Sequence, residues 1–151
     1  MVSNQVQFGL LSRLPQDNGL LDLSRELSVT PIAYSPLGLG LLTGKYTLEK
    51  TGRLPPGPRG SLFKQILPTM GPLLGTMSDI EAARGKTISQ IAINWTIAKG
   101  TIPLVGVRTV EQAQENLGAL GWLLSDAEVE ELDRAAQKCK NQLPQNIFQT
   151  E

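Results

Sequence analysis

The residues best suited to chemistry in this sequence follow a single apolar run. Residues 101–105 are predicted to form a strand, and Gly106 after it lets the backbone turn without the steric cost of a Cβ. Thr109 can cap the helix that follows, so the first-turn amides point at whatever lies above the strand. Arg108 adds a fixed positive charge able to grip phosphate oxygens. Three further polar side chains lie on successive turns of this helix and can reach one ligand edge: Gln112, Glu115 and Asn116.

This combination of a helix start and an arginine favours an anionic ligand, and a phosphorylated cofactor in particular. The alternative is an ordinary surface loop whose polar residues face water. The residues of this segment alone leave both interpretations open.

The composition describes a globular chain with no overall charge. At 151 residues and 40% hydrophobic content, the chain is long enough for one domain with a core. Its 14 Lys and Arg balance its 14 Asp and Glu, so net charge does not favour nucleic acid or an acidic membrane surface as a partner. No uninterrupted apolar run approaches the ~18 residues that a membrane span needs. We therefore expect neither a nucleic-acid nor a membrane partner.

The absence of histidine limits the possible chemistry most sharply. Histidine is the usual general base near neutral pH, so Ser–His and Cys–His catalysis within one chain are excluded. The single Cys139 cannot form an internal disulfide and, without histidine, leaves no zinc-type ligand cluster. We predict a reducing compartment and no metal.

Strands and helices are predicted in alternation along the chain. Strands are expected at 5–8, 32–35 and 102–105, with a glycine-rich loop at 36–44 after the second. A loop is expected around Pro15, followed by a helix over 19–27 whose core stripe is Leu20, Leu23 and Leu27.

The middle of the chain is predicted to hold a long loop and two helices. Three prolines and three glycines make residues 50–60 a surface loop, with a lid or ligand-clamp role slightly favoured over simple mobility. Short helices are expected around Phe63, Ile66 and Leu67, ending at Pro68, and then up to Gly85. Their remaining packing residues are Leu62, Met70, Leu73, Met77 and Ile80.

The second half carries two capping-box patterns, which predict helix starts at Thr87 and Ser125. The expected core stripes of these helices are Ile88, Ile91, Ala92 and Trp95, and then Val129, Leu132, Ala136 and Cys139. The helix after the Gly106 turn is predicted to bury Val110, Ala113 and Leu117 and to end near Gly118 or Gly121.

Strands separated by crossover helices require a parallel α/β sheet. Three strands are few, because a three-stranded parallel sheet leaves both lateral edges bare. The pattern therefore indicates that part of a larger sheet is missing and that the edges are open to self-association.

Three segments carry a resemblance to a known family. Residues 34–46, 102–106 and 111–116 closely resemble the aldo-keto reductases, and residues 4–8, 85–87, 93–95 and 118–122 fit the same family in the same order. The similarity covers nearly the whole chain. Within the family, residues 62–68 and 145–150 resemble the plant and cyanobacterial branch that includes pyridoxal reductase-like proteins.

The resemblance implies a fold. The family forms a (β/α)₈ TIM barrel that normally needs ~250 residues, with ligands at the carboxyl ends of its strands. This chain is similar to the last three strands with their helices and the C-terminal helix. Residues 1–151 are thus expected to be the C-terminal half of the barrel, with residues 141–151, including Ile147 and Phe148, as a loosely docked tail.

The resemblance also implies an NADP site. Gln5 would hydrogen-bond the nicotinamide carboxamide and Tyr34 would stack on its ring. The pyrophosphate would be wrapped by Ser35, Pro36, Leu37, Gly38 and Leu39 and neutralised by Lys45 and Arg59. The adenosine 2′-phosphate and adenine would be held by Gly106, Arg108, Gln112, Glu115 and Asn116, which favours NADP over NAD; Thr109 can join through its hydroxyl.

The catalytic positions of the family are missing. Its reductases use an aspartate, a tyrosine, a lysine and a histidine on earlier strands, so no catalytic residue is assigned and no reductase activity is expected from this chain alone. A small carbonyl substrate is expected only in a complete barrel. The alternatives are a non-catalytic NADP(H)-sensing module and a half-barrel that assembles with a partner chain. The expected compartment is the cytoplasm or the plastid stroma.

Overall fold

The computed structural model describes residues 2–47, 54–140 and 143–144. Its sheet has three parallel strands in the order β1 (Ser3–Gln7), β2 (Thr30–Tyr34) and β3 (Ile102–Leu104). The predicted parallel α/β sheet is confirmed, with strand bounds that differ from the prediction by one or two residues.

The register separates the two faces of the sheet. Gln5 pairs with Ile32, which pairs with Ile102, and Tyr34 pairs with Leu104, so these residues share one face. We call it the open face, because within the described residues its members are only half-buried or exposed. The opposite face carries the fully buried Ala33. The helices therefore cover one side of the sheet.

Seven helices surround the strands in the described part of the chain: α1 (Leu14–Asp17), α2 (Leu20–Glu26), α3 (Pro58–Ile66), α4 (Gly71–Arg84), α5 (Ile88–Ala98), α6 (Val110–Leu117) and α7 (Asp126–Gln137). Two 3₁₀ segments, Gly38–Thr43 and Leu67–Thr69, lie between them. The loop predicted around Pro15 is wrong, because α1 forms there. Proline is tolerated in a first helical turn, where its missing N–H has no partner to lose.

Both predicted capping boxes are present. The Thr87 hydroxyl accepts from the Gln90 backbone N–H at 3.3 Å, and the Gln90 side chain accepts from the Thr87 N–H at 3.1 Å. Ser125 and Glu128 make the reciprocal pair at the start of α7. These side chains satisfy amides that a helix start leaves without partners.

The core lies between the helices and the face of the sheet that carries Ala33. Trp95 is fully buried and its ring centroid lies 5.1 Å from that of Phe8. The predicted packing residues that are buried are Phe63, Ile66, Leu67, Met70, Leu73, Met77, Ile80, Ile91, Ala92, Leu132, Ala136 and Cys139. Leu62, Ile88 and Val129 are partly buried against the same core. Burial raises the pKa of the Cys139 thiol, as expected of a small buried hydrophobe.

The predicted stripe of α2 is wrong. Leu23 and Leu27 are exposed, and the helix buries Leu21 and Ser24 instead. Since α2 packs against α1 and β2, the face that contains Leu21 becomes the covered one. Leucine spacing alone did not distinguish these two faces.

The predicted buried edge of α6 is also wrong. Val110 and Leu117 are 68% and 62% exposed, and Ala113 is only half-buried. Among the described residues, α6 packs mainly on α5, and Gln90 of α5 donates to the Glu115 carbonyl of α6. The helix does end before Gly118, as predicted.

The long loop is shorter than predicted at its end. Pro58, Arg59 and Gly60 already belong to α3, with Pro58 in the first turn, where proline fits the helix. Residues 48–53 lie outside the described residues, as do 141–142 and 145–151, which include Ile147 and Phe148 of the predicted tail. Of that tail, Leu143 is buried, and its N–H donates to the Leu11 carbonyl at 2.9 Å.

Among the described residues, no helix is both long enough and apolar enough to span a bilayer.

Candidate functional site

A cavity of about 800 Å³ opens where β2 and β3 end. Its walls are the 3₁₀ segment Gly38–Thr43, the starts of α3 and α5, and the β3–α6 turn with α6. Eighteen residues line it: Ser35, Pro36, Leu37, Leu39, Gly40, Thr43, Lys45, Tyr46, Arg59, Ser89, Leu104, Val105, Gly106, Val107, Arg108, Gln112, Glu115 and Asn116. Every predicted site residue except Gln5, Tyr34, Gly38 and the additional Thr109 is therefore in this wall.

The wall after β2 has an unusual backbone path. Ser35 and Leu39 adopt left-handed conformations with φ of 58° and 56°, although neither is glycine. Gly40 follows with φ of 97°, and its carbonyl accepts from the Thr43 hydroxyl at 2.8 Å. Such conformations cost free energy and concentrate at ligand sites. This strain lies in the segment that the sequence predicts to wrap a pyrophosphate.

Arg59 lies across this segment from the first turn of α3. Its Nη2 donates to the Leu39 carbonyl, and its guanidinium carbon lies 5.2 Å from the Phe63 ring centroid. A Cβ on Gly40 would lie 3.2 Å from the same Nη2, so glycine leaves room for the guanidinium. The ring and the carbonyl together hold Arg59 at the cavity.

Lys45 is a more loosely held cation. Its side chain is exposed and its Nζ lies 5.6 Å from the Tyr46 ring centroid. Tyr46 itself is buried and packs edge-on against Phe63, with ring centroids 5.1 Å apart. The exposed Lys45 therefore lines the cavity with its ammonium group near the ring of the buried Tyr46.

The β3–α6 turn is organised by its own side chains. The Arg108 N–H donates to Gln112 Oε1 at 2.8 Å, and the Gln112 N–H donates to the Thr109 hydroxyl at 3.3 Å, which confirms the predicted cap. Hydrogen bonds from its own backbone N–H and from Thr109 lower the pKa of Glu111. The Arg108 side chain is exposed, and Arg108 is among the residues that line the cavity.

Gly106 does not serve the turn in the predicted way. It is not among the glycines with positive φ, and a Cβ there would meet open space. Its backbone conformation therefore does not require glycine. The geometry shows instead that Gly106 lines the cavity and has open space beside its Cα.

Glu115 faces the start of α5. Its Oε1 accepts from the Thr87 hydroxyl at 3.2 Å, and its backbone carbonyl accepts from Gln90 Nε2 at 2.9 Å. The neighbouring Asn116 is half-buried in the same wall. At this end of the cavity, two hydrogen bonds therefore link α6 to the start of α5.

Positive charge dominates the cavity. Three cationic residues, Lys45, Arg59 and Arg108, line it against the single carboxylate of Glu115 among the described residues. In a chain with no net charge, this local excess favours an anionic ligand. The charge distribution therefore agrees with the first of the two interpretations of the Arg108 segment.

The remaining predicted site residues lie outside the cavity wall. Gln5 and Tyr34 are on the open face, where Gln5 is exposed and Tyr34 half-buried. Gly38 is buried and has a φ of 57°, and a Cβ there would lie 2.9 Å from Leu11 Cδ1, so its backbone conformation and its packing both favour glycine. Their roles at the cofactor stay predictions.

Several lining residues were not predicted: Gly40, Thr43, Tyr46, Ser89, Leu104, Val105 and Val107. Gly40, Thr43 and Tyr46 belong to the segment 34–46 that carries the family resemblance, which is a usable signal. Ser89 is buried in the first turn of α5 and has no local signal, because only the packing of α5 brings it to the cavity.

Comparison with known proteins gives consistent relatives. Pyridoxal reductase, chloroplastic, from Arabidopsis thaliana is 49% identical over 150 residues, which are 99% of this chain and 40% of that protein. Probable pyridoxal reductase 2 from Schizosaccharomyces pombe is 31% identical, over 89% of this chain and 43% of that protein. The chain therefore spans about 40% of the length of these relatives.

A solved structure supports the fold. A thermostable aldo-keto reductase in complex with the inhibitor epalrestat superposes with a TM-score of 0.63 at 29% identity, over 89% of this chain and 40% of that one. Such reductases are (β/α)₈ barrels, so the three strands with their helices are part of this barrel fold, as predicted. The model of the aldo/keto reductase family matches residues 1–137, and the chain belongs to that family.

Proposed function

We propose that this chain binds NADP(H), as the cofactor-binding part of an oxidoreductase that reduces an aldehyde or ketone. The observation that carries the proposal is the group of cations Lys45, Arg59 and Arg108 around one cavity in a chain of zero net charge. A cavity of about 800 Å³ is within the usual range for cofactor sites.

The cavity fits a ligand with separated phosphate groups. Arg59 and Lys45 stand by the left-handed segment after β2 and would neutralise a pyrophosphate there. Arg108 lies in the part of the wall formed by the β3–α6 turn and would take the 2′-phosphate, with Glu115 and Asn116 of α6 for the adenine. Two cationic groups on two walls favour NADP over NAD.

The nicotinamide would lie at the end of β2. Tyr34 lies on the open face and immediately precedes Ser35 of the cavity wall, so it is the residue of β2 next to the cavity along the chain. Gln5 lies on the same face of β1 and would bond the carboxamide. When bound, the reduced cofactor supplies the hydride, while these residues orient its ring.

The proton for the carbonyl oxygen has to come from elsewhere. Of the two tyrosines, Tyr46 is buried against Phe63 and Tyr34 is assigned to the ring, and the sequence has no histidine. We therefore propose that the chain alone does not reduce carbonyls and that a complete barrel supplies the acid. The names of the two relatives favour pyridoxal, an aldehyde, as the substrate of such a barrel.

The proposed site is tested by calorimetric titration of the 151-residue chain with NADPH and with 2′,5′-ADP. Saturable binding is expected, and Arg108→Ala should weaken it roughly 10- to 100-fold, the value of a charge-assisted hydrogen bond. Lys64→Ala removes an exposed cation of α3 that does not line the cavity and is the matched control. Absence of binding to a folded, monodisperse sample would overturn the proposal.

A second candidate function is assembly with a partner chain. Seven large apolar residues around β3, α6 and the segment after it are 48–68% exposed; we call them the apolar margin: Ile102, Leu104, Val107, Val110, Leu117, Leu120 and Leu123. Exposed apolar surface of this kind marks interaction sites. Its partner would be a second copy or a chain that supplies further strands.

Two compartments are proposed for the protein, the cytoplasm and the plastid stroma. The chloroplastic name of the Arabidopsis thaliana relative favours the stroma. Fractionation of cells that express the tagged natural gene would separate the two.

A further inference from the structure

The Gln90 side chain joins the start of α5 to the end of α6. Its Oε1 accepts from the Thr87 N–H at 3.1 Å, which completes the capping box of α5. Its Nε2 donates to the Glu115 carbonyl in the last turn of α6 at 2.9 Å. One half-buried amide thus uses both of its polar atoms on two different helices.

Gly118 makes room for this contact. A Cβ at Gly118 would lie 2.2 Å from Gln90 Nε2 and 2.9 Å from Gln90 Cδ, closer than any real contact allows. The backbone of Gly118 is helical, with φ of −64° and ψ of −9°, so any residue fits its conformation. Glycine is therefore needed here for the space that Gln90 occupies.

The position of α6 depends on this contact of Gln90 with Glu115 and Gly118. Among the described residues, α6 buries none of its own side chains and packs mainly on α5. The second polar link between the two helices runs from the Thr87 hydroxyl to Glu115 Oε1 at 3.2 Å, from the same capping box. Both links fix the wall that carries Arg108, Gln112 and Glu115.

We infer that Gln90 is a positioning residue for the cavity: its amide holds α6 on α5 and so fixes the wall that faces the ligand. The ligand-binding part of this inference rests on the proposed function. The helix-to-helix part stands on the geometry of Gln90, Gly118 and Glu115 alone.

The first test is a double-mutant cycle with Gln90→Ala and Gly118→Ala, read by the urea midpoint of unfolding. Gly118→Ala should lower the midpoint clearly in the native background, because the new methyl displaces Gln90. It should have a much smaller effect in the Gln90→Ala background, where the remaining close atom is the Glu115 carbonyl oxygen at 3.1 Å. Equal effects in the two backgrounds would overturn the inference.

The second test separates the bond between Gln90 and the Glu115 carbonyl from the capping-box bond between Gln90 and Thr87. Gln90→Glu keeps an acceptor for the Thr87 N–H, since glutamate serves in capping boxes, but removes the donor to Glu115. We expect hydrogen exchange of the α6 amides to accelerate up to roughly 10-fold, with α5 unchanged. Gln114→Glu adds the same charge at an exposed position of α6 and is the control. Unchanged exchange in α6, or equal acceleration of α5, would contradict the inference.

The third readout is the affinity for 2′,5′-ADP. If the native chain binds it, Gln90→Glu should weaken binding about 3- to 10-fold while Gln114→Glu has little effect. Equal affinity of Gln90→Glu and the native chain would overturn the positioning role. If the native chain binds no 2′,5′-ADP, the proposed function fails, and the cycle and the hydrogen exchange still decide the helix-to-helix part.

Discussion

Asn94 and Leu124 are joined by a buried hydrogen bond across thirty residues of chain, from the Leu124 N–H to Asn94 Oδ1 at 2.9 Å. The other end of the same amide donates to the carbonyls of Ala119 and Trp122, each at 2.9 Å. Asn94 is fully buried in α5. One core side chain therefore fixes the irregular segment that connects α6 to α7.

Asn94→Ala should destabilise the fold strongly, because three backbone groups lose their partner at once, two of them in buried hydrogen bonds. We expect a loss of about 3 kcal/mol in the free energy of unfolding, measured by urea denaturation. Asn18→Ala is the control, since the side chain of the exposed Asn18 accepts one local bond, from the Leu20 N–H at 3.1 Å. It should cost about 1 kcal/mol or less. Similar losses in the two variants would contradict this account of Asn94.

The ion pair of Arg84 and Glu128 predicts a pH dependence of stability. Arg84 Nε donates to Glu128 Oε1 at 2.8 Å, and this hydrogen bond is the main cause that lowers the pKa of Glu128 from 4.5 to about 2. A carboxyl whose pKa is depressed on folding stabilises the native state above its unfolded pKa. The contribution should be complete above pH 4.5 and lost as the pH falls towards 2.

Glu128→Gln isolates this contribution, because glutamine can still serve in the capping box with Ser125. The difference in unfolding free energy between the native chain and the variant should be constant at neutral pH and disappear towards pH 2. The same series on Glu130→Gln should show a much smaller pH-dependent difference, since Glu130 and Arg134 are both well exposed at 3.7 Å. A Glu128 difference that does not change with pH would contradict the assignment.

Local patterns predicted the parts of this fold that local physics determines. The capping boxes at Thr87 and Ser125 were confirmed because their bonds lie within four residues of chain. The apolar spacing in α4, α5 and α7 identified buried faces because neighbouring elements cover those faces. Much of the cavity wall followed from the family resemblance together with the turn before α6.

The parts that failed depend on which neighbours are present. Leu117 has the spacing of a core residue, yet a periodic pattern shows which face of a helix is apolar and not whether anything covers it. Ser89 and Gln90 reach the cavity or its wall only because α5 packs beside α6. Contacts between distant segments of this kind leave no signal in a local window of sequence.

Gly40 should matter to ligand binding beyond its backbone conformation. Gly40→Ala places a Cβ 3.2 Å from Arg59 Nη2 and strains a left-handed residue. Gly19→Ala strains a similar backbone with no atom near the new methyl, so it is the matched control. Both variants should lose about 1–2 kcal/mol of unfolding free energy. Only Gly40→Ala should also weaken 2′,5′-ADP binding in calorimetric titration, and equal affinities of the two variants would contradict a role for the Arg59 position.

The apolar margin predicts association that a single charge disrupts. Leu117 is 62% exposed on α6, so Leu117→Lys removes no buried packing and should change the unfolding free energy of the monomer by less than about 0.5 kcal/mol. If copies of the chain associate through the margin, the substitution places a charge that must be desolvated in the interface, and the dissociation constant should rise at least roughly 10-fold. Sedimentation velocity over a range of concentrations measures this. Leu27→Lys is the control, because Leu27 is 64% exposed on α2, outside the margin. If both substitutions weaken association equally, the contact is not specific to the apolar margin. If only Leu117→Lys weakens association, the partner copy lies against α6.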